Sequence, residues 1–169
     1  NEKEYRDGVD IDPDEFYKIL RNENVYPKTS QATYAQFKEI FDKYTKEGKK
    51  IIYISGSSAA TGTCQSAIMA KNDTEGEIYI FDTYNFSFGA GIFVVKAAQM
   101  IKEGKTIEET LNALEVLKEK CILMFSVDTL EYLQKGGRIS STKAAIGSIL
   151  NIKPILEVKD GLVSQVGQV

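Results

Sequence analysis

The sequence predicts an α/β protein, with a parallel-sheet N-terminal domain carrying helices on both faces and part of a second α/β domain behind it. Three observations carry that prediction. Two short apolar runs, residues 50–54 and 78–81, are each followed by a helical pattern, the strand–helix alternation of a parallel layer. Helix-start chemistry recurs at fixed offsets ahead of the periodic segments. After Cys121 the texture changes, and residues 152–158 and 162–166 flank Lys159-Asp160-Gly161 as the arms of a hairpin. The division is expected at residue 118, giving an N-terminal domain over 1–118 and the beginning of a C-terminal one over 119–169.

Taken in order, Asp12-Pro13 pairs an N-cap with a proline suited to the first helical position, and the helix should run to about Asn22, burying Phe16, Ile19 and Leu20. The stretch Val25-Tyr26-Pro27-Lys28-Thr29-Ser30-Gln31 reads as a loop. Thr33 and Gln36 have capping-box spacing, and Phe37, Ile40, Phe41 and Tyr44 form one apolar stripe that Gly48 ends. A strand over 50–54 discharges into Ser55-Gly56-Ser57-Ser58-Ala59-Ala60-Thr61-Gly62-Thr63, which leads a helix to about Lys71. The strand at 78–81 precedes Asp82-Thr83 and a helix from about Phe88 to Lys102, which holds the small-residue approach Gly89-Ala90-Gly91. Thr106 and Glu109 form a second capping box, for a helix with Ile107, Leu111, Leu114 and Leu117 on one side. Residues 122–127 should be a strand, Asp128 and Glu131 a third capping box for a helix to Gln134, and 141–150 a further helix.

Composition narrows the function. The chain has 169 residues, 43% hydrophobic and 27% charged, an ordinary globular balance with core-forming capacity. A net charge of -3 offers no basic surface on the scale nucleic-acid binding needs. No apolar run reaches the roughly 20 residues of a membrane span. Cys64 and Cys121 are expected as reduced thiols of a cytoplasmic protein rather than as a disulfide or a metal site. With no histidine, Ser-His-Asp and Cys-His machinery are removed and a zinc site is improbable. No metal and no cofactor are expected. Because the chain starts at Asn1 and closes on a strand-like Val166-Gly167-Gln168-Val169, it reads as a fragment.

The candidate chemistry is anion binding. The loop over 55–63 carries five hydroxyl side chains and two glycines between a strand and a helix. Ligands of open parallel sheets sit at the carboxyl ends of strands, and a helix N-terminus offers unpaired N–H groups and partial positive charge. Gly62 allows close backbone approach, and Ser57 and Thr61 are hydroxyl candidates. Thr61 is placed either to cap the helix or to donate to a ligand. A P-loop is excluded, since Thr63-Cys64 follows Gly62 where Lys-Ser/Thr would be needed. A lone carboxylate suits neutral hydroxyl donors. Thr29 and Ser30 form a second hydroxyl pair at a helix entrance, as N-caps or as further donors. Gly136-Gly137-Arg138 is either an exposed turn or a docking contact made by Arg138.

Five stretches, Asp7-Gly8-Val9-Asp10-Ile11, Thr29-Ser30-Gln31, Thr61-Gly62-Thr63-Cys64-Gln65-Ser66-Ala67, Tyr132-Leu133-Gln134-Lys135-Gly136-Gly137-Arg138-Ile139-Ser140 and Ile152-Lys153-Pro154-Ile155-Leu156, resemble in order and spacing the DegV family of bacterial fatty-acid-binding proteins. The resemblance implies a two-domain α/β protein with a long-chain fatty acid buried between the domains. It implies that Thr29 and Thr61 hold the carboxylate. At Thr61 the family usually has serine, at Ala32 proline and at Ala60 leucine, so the hydroxyl survives while the pocket wall is reshaped. Relative to the family, the opening strand and most of the C-terminal domain are missing.

The expected function is therefore a carrier, not an enzyme, that binds a fatty acid and presents it to a separate fatty-acid kinase for acyl-phosphate formation. Arg138 is then a kinase contact. Two other classes stay open: a regulatory module for a different small carboxylate, and a histidine-free hydrolase using Ser55, Ser57 or Thr61 with a lysine base.

Overall fold

Asp12 opens the first helix as its chemistry dictates, its Oδ1 accepting from the Glu15 amide at 2.8 Å. The structure is a computed structural model that describes residues 3–22, 25–139 and 153–168. The chain divides into two compact units, Asn1–Ser30 and Gln31–Val169.

In the first unit, helix α1 (Pro13–Asn22) half-buries Phe16, Ile19 and Leu20. The segment ahead of it is a turn in which Gly8 takes a left-handed φ of 68° and Arg6 clasps Asp10 through two guanidinium contacts of 3.0 and 2.9 Å. That guanidinium holds the Asp10 carboxyl below its usual range.

In the second unit, α2 (Tyr34–Lys46) carries the expected capping box between Thr33 and Gln36. It ends in a Schellman motif, with Gly48 at φ 73° and the Lys49 amide bonded to Tyr44 O. The predicted stripe is only half right. Phe37 and Phe41 are buried, but Ile40 and Tyr44 are largely exposed. Tyr34 joins the packed face instead, where aromatics four residues apart meet the sheet. Tyr44 stays outside, beneath the ammonium groups of Lys43 and Lys49.

Strands β1 (Ile51–Ser55) and β2 (Ile78–Asp82) pair in parallel, from Ile51 beside Ile78 to Ser55 beside Asp82. Between them lies α3 (Thr63–Asn72). After β2 come α4 (Ser87–Lys102) and α5 (Ile107–Lys118), the latter with the expected capping box of Thr106 and Glu109. Because side chains alternate along a strand, Ile51, Tyr53, Ile78 and Ile80 face α2 and α3, packing on Phe37, Phe41, Ala67 and Ala70. Ile54 and Phe81 face the other way, against Phe93 and Ala97 of α4 and Leu114 of α5. The sheet thus has helices on both faces, as the sequence predicts.

The second sheet is antiparallel, ordered β3 (Met124–Ser126), β4 (Pro154–Lys159), β5 (Leu162–Gln168). Asp160 and Gly161 make the two-residue hairpin turn, both at positive φ, 51° and 76°. β3 is shorter than the predicted 122–127, and Ile122 stands exposed beyond its end. The third capping box does not form. Asp128 instead pairs with Lys153, and α6 (Glu131–Lys135) starts with the Glu131 amide on Thr129 Oγ1 at 3.1 Å. The predicted helix over 141–150 lies outside the described residues. Among those described, no helix is long and apolar enough to cross a membrane.

Candidate functional site

The β1–α3 loop is organised around one residue. Ser57 is fully buried and each of its polar groups is bonded. Its amide donates to Asn85 O at 3.0 Å, and its carbonyl accepts from the amides of Ala60 and Thr61 at 3.2 and 3.3 Å. Its hydroxyl donates to Gly161 O at 2.7 Å and accepts from the Ala59 amide at 3.2 Å. The hydroxyl proton is therefore already committed to a carbonyl.

The turn that Ser57 closes delivers Thr61 and Gly62 to the start of α3. Thr61 is half-buried; its Oγ1 accepts from the Thr63 amide at 3.3 Å and lies 2.9 Å from Thr63 Oγ1. The hydroxyl thus sits just ahead of the helix, while the N-cap position falls to Gly62, which has no side chain to offer. The amides of Cys64 and Gln65 find no acceptor among the described residues. They are the orphan donors of a helix N-terminus.

These groups open onto a groove of about 570 Å³ lined by Ser58, Thr61, Gly62, Cys64 and Gln65, by Ile68 and Lys71 further along α3, and by Ile80 and Asp82 of β2. That volume lies in the roughly 300–1,000 Å³ range of small-molecule sites. Its lining is mixed, with Ile68 and Ile80 as the large apolar members and Asn72 among the polar ones. The charges on its walls are of both signs, Lys71 and Asp82.

Asp82, at the end of β2, was not among the residues the sequence nominated. Its carboxylate accepts from the amides of Tyr84 at 2.9 Å and Ser58 at 3.3 Å, so it fixes both loops at the carboxyl end of the sheet. The strand-end rule that singled out the first loop applies equally to it. Behind these loops, Ser55 is fully buried and its hydroxyl makes no hydrogen bond of ordinary geometry. Burial pushes the Cys64 thiol up; the Ser55 hydroxyl opposes that shift in part, and the Asp82 charge adds to it.

Gln31 belongs to the Thr29-Ser30-Gln31 stretch but has no role assigned to it by the sequence. It reaches the α3 N-terminus, its Nε2 donating to Ser66 Oγ at 3.1 Å. Its side-chain amide fills the space that a Cβ on Gly62 would need.

Of the nominated residues, Thr61 and Gly62 line one groove in the second unit, while Ser57 is buried in the turn behind them and does not line it. Thr29 and Ser30 close the first unit and are exposed. Arg138 lies at the end of α6, where Gly137, at φ 67°, and the Arg138 amide bonded to Leu133 O make another Schellman cap. Its guanidinium folds back onto Gly136 O at 2.5 Å. Helix termination thus explains Gly137, while at Gly136, with an ordinary φ of -74°, a Cβ would fall 2.9 Å from Tyr132 O.

Comparison with known proteins adds the following. A family profile described as an uncharacterised protein of the DegV family matches residues 1–169. A DegV domain-containing protein of Clostridium perfringens is 44% identical over 164 residues, which cover 93% of this chain and 56% of that protein. One from Clostridium acetobutylicum is 45% identical over 162 residues, 94% of this chain and 57% of its own. The chain therefore spans little more than half the length of these relatives. Among solved structures, a fatty-acid-binding DegV family protein from Thermus thermophilus superposes with a TM-score of 0.89 at 34% identity, over 98% of this chain and 59% of that one. DegV of Bacillus subtilis, described as a fatty acid binding protein, gives 0.82 at 32% identity, over 98% and 59%. A stearic acid-binding protein from Eubacterium ventriosum gives 0.89 at 27% identity, over 98% and 58%.

Proposed function

The chain belongs to the DegV family, and from that premise we propose that it binds a long-chain fatty acid by its carboxylate and presents it to a fatty-acid kinase for acyl-phosphate formation. The observation that carries the reading is the groove at the start of α3, where the Thr61 hydroxyl and unpaired helix amides lie on a lining that also holds Ile68 and Ile80. A carboxylate with a hydrocarbon tail is the ligand class that needs both ends. Fatty acids are also what the similar solved proteins from Thermus thermophilus and Bacillus subtilis are described as binding.

In this reading Thr61 and Thr29 each donate a hydroxyl hydrogen bond to the carboxylate, with Ser30 beside them, Gly62 leaving room for the head group and Ser57 supporting the loop. Gln31, which follows Thr29-Ser30 in sequence, is anchored on the α3 N-terminus. The threonine hydroxyl at position 61 does the work of the family's serine.

Such a carrier breaks no bond and needs no cofactor beyond its bound acid. Its kinase supplies nucleotide and metal, which places the exchange in the cytoplasm. Arg138 is proposed as a contact for that kinase, with residues 1–118 and 119–169 as the two domains. The hydrolase reading fares worse. Ser57 donates to a carbonyl oxygen rather than to a base, and Ser55 is fully buried.

Native mass spectrometry of the full-length protein purified from cells tests the proposal. A co-purifying or readily acquired C16–C18 acid is expected. An empty protein that takes up neither palmitate nor oleate would refute it.

A further inference from the structure

We infer that Ser57 is a positioning residue that keys the tip of the β4–β5 hairpin to the loop presenting Thr61, so that the carboxylate site is assembled only when the hairpin is in place. The inference rests on the carboxylate-site reading above and assigns Ser57 an action through Thr61 rather than on the ligand.

Three chain segments meet at this one residue, two through its backbone and one through its hydroxyl. Toward the loop, the Ser57 carbonyl closes the turn onto the Ala60 and Thr61 amides, which fixes the backbone from which the Thr61 hydroxyl projects. Toward β2, the Ser57 amide is held by Asn85 O. Toward the hairpin, 104 residues away in sequence, the hydroxyl donates to Gly161 O while accepting from the Ala59 amide. A hydroxyl with one proton spends it on that carbonyl. The bond to Gly161 O is buried, where a hydrogen bond is electrostatically stronger and a broken one is costly, and the bond from the Ala59 amide is part-buried.

The hairpin side is equally specific. Gly161 takes a φ of 76°, which the two-residue turn requires. A Cβ there would also fall 2.4 Å from Ser57 Oγ, 2.9 Å from Ala59 Cβ and 2.9 Å from Tyr84 Cδ1. Glycine thus meets two demands at once, the backbone conformation of the turn and a close approach to the loop. Lifting the hairpin tip removes the acceptor of the Ser57 hydroxyl and frees the turn that carries Thr61.

Two readouts on the full-length protein test this, one without ligand. Amide hydrogen exchange at Ala59, Ala60 and Thr61 should quicken about tenfold in both Ser57→Ala and Gly161→Ala, as expected for loss of one buried hydrogen bond, with β1 amides unchanged. Gly137→Ala, another left-handed glycine but with nothing within 4 Å, should leave those three amides at wild-type rates and so controls for backbone strain. Unchanged exchange at 59–61 in both Ser57→Ala and Gly161→Ala overturns the inference.

In the second readout, Ser57→Ala should weaken palmitate binding about tenfold but hexadecanol binding far less. It should add little to Thr61→Val in the double variant. Equal losses for acid and alcohol, or full additivity with Thr61→Val, also overturn it. If the wild-type protein binds no fatty acid, the proposed function fails, while the exchange experiment still judges the coupling.

Discussion

The side chain of Gln31 occupies the place where a Cβ on residue 62 would have to be: built on the Gly62 backbone, that carbon would lie 2.0 Å from Gln31 Oε1 and 2.8 Å from its Cδ. Gly62 has an ordinary φ of -74°, so its backbone would accept any residue. What requires glycine is the neighbour. The stretch that follows Thr29-Ser30 is thus pinned onto the loop that carries Thr61, with Gln31 also bonded to Ser66.

Gly62→Ala should therefore expel the Gln31 side chain and break its bond to Ser66. The expected cost is about 0.5–1.5 kcal/mol in chemical denaturation. In a Gln31→Ala background the same substitution should cost close to nothing. Equal costs in the two backgrounds would show that the contact is not what selects glycine.

Gly89 and Gly91, alike in sequence, should respond in opposite directions. Nothing lies within 4 Å of a Cβ on Gly91, an α4 interior position, so Gly91→Ala should stabilise by about 0.5–1 kcal/mol. A Cβ on Gly89 would fall 2.1 Å from Oδ1 of the buried Asn85, which also accepts from the Phe86 amide. Gly89→Ala should destabilise by about 1–3 kcal/mol. Thermal melts of the two variants decide the matter.

The Cys64 thiol should be unreactive while the protein is folded. Burial raises its pKa, so the unfolded chain loses this proton at a lower pH than the folded one. Between those two values the folded state binds more protons, and stability falls as pH rises above the ordinary thiol value of about 8.5. Cys121, raised by the same cause, adds to that slope. Alkylation by iodoacetamide at pH 8 should be slow until denaturant is added, and Cys64→Ala should flatten the alkaline part of the stability profile. Rapid alkylation of the native protein would contradict this.

The parallel layer was legible because local chemistry and tertiary packing agree there. Thr33 and Thr106 form the capping boxes their spacing announces, and the apolar runs become strands Ile51–Ser55 and Ile78–Asp82, packed on both faces. Asp128 misled because a spacing rule does not see Lys153, 25 residues on. Ile40 and Tyr44 misled because the periodicity of α2 admits two neighbouring stripes, and the sheet selected the one through Tyr34, Phe37 and Phe41.

At the site, Thr61 and Gly62 could be nominated from a strand–loop–helix pattern alone. The partners of Ser57 could not, since Gly161 is 104 residues away and joins it through a backbone carbonyl. Asp82 was within reach of the strand-end rule and was overlooked.

In the proposed function the Thr61 hydroxyl holds a fatty-acid carboxylate at the start of α3. Calorimetric titration of the full-length protein with palmitate, beside Thr61→Val and Thr61→Ser, tests it most directly. A hydrogen bond to a charged group contributes about 1.5–3 kcal/mol, so the valine variant should bind roughly 10- to 150-fold more weakly at unchanged melting temperature. The serine variant, which keeps the hydroxyl, should bind like wild type, and Thr29→Val should lose a similar amount. Palmitate binding that is the same in wild type and Thr61→Val would contradict the account and leave that hydroxyl as a feature of the helix start alone.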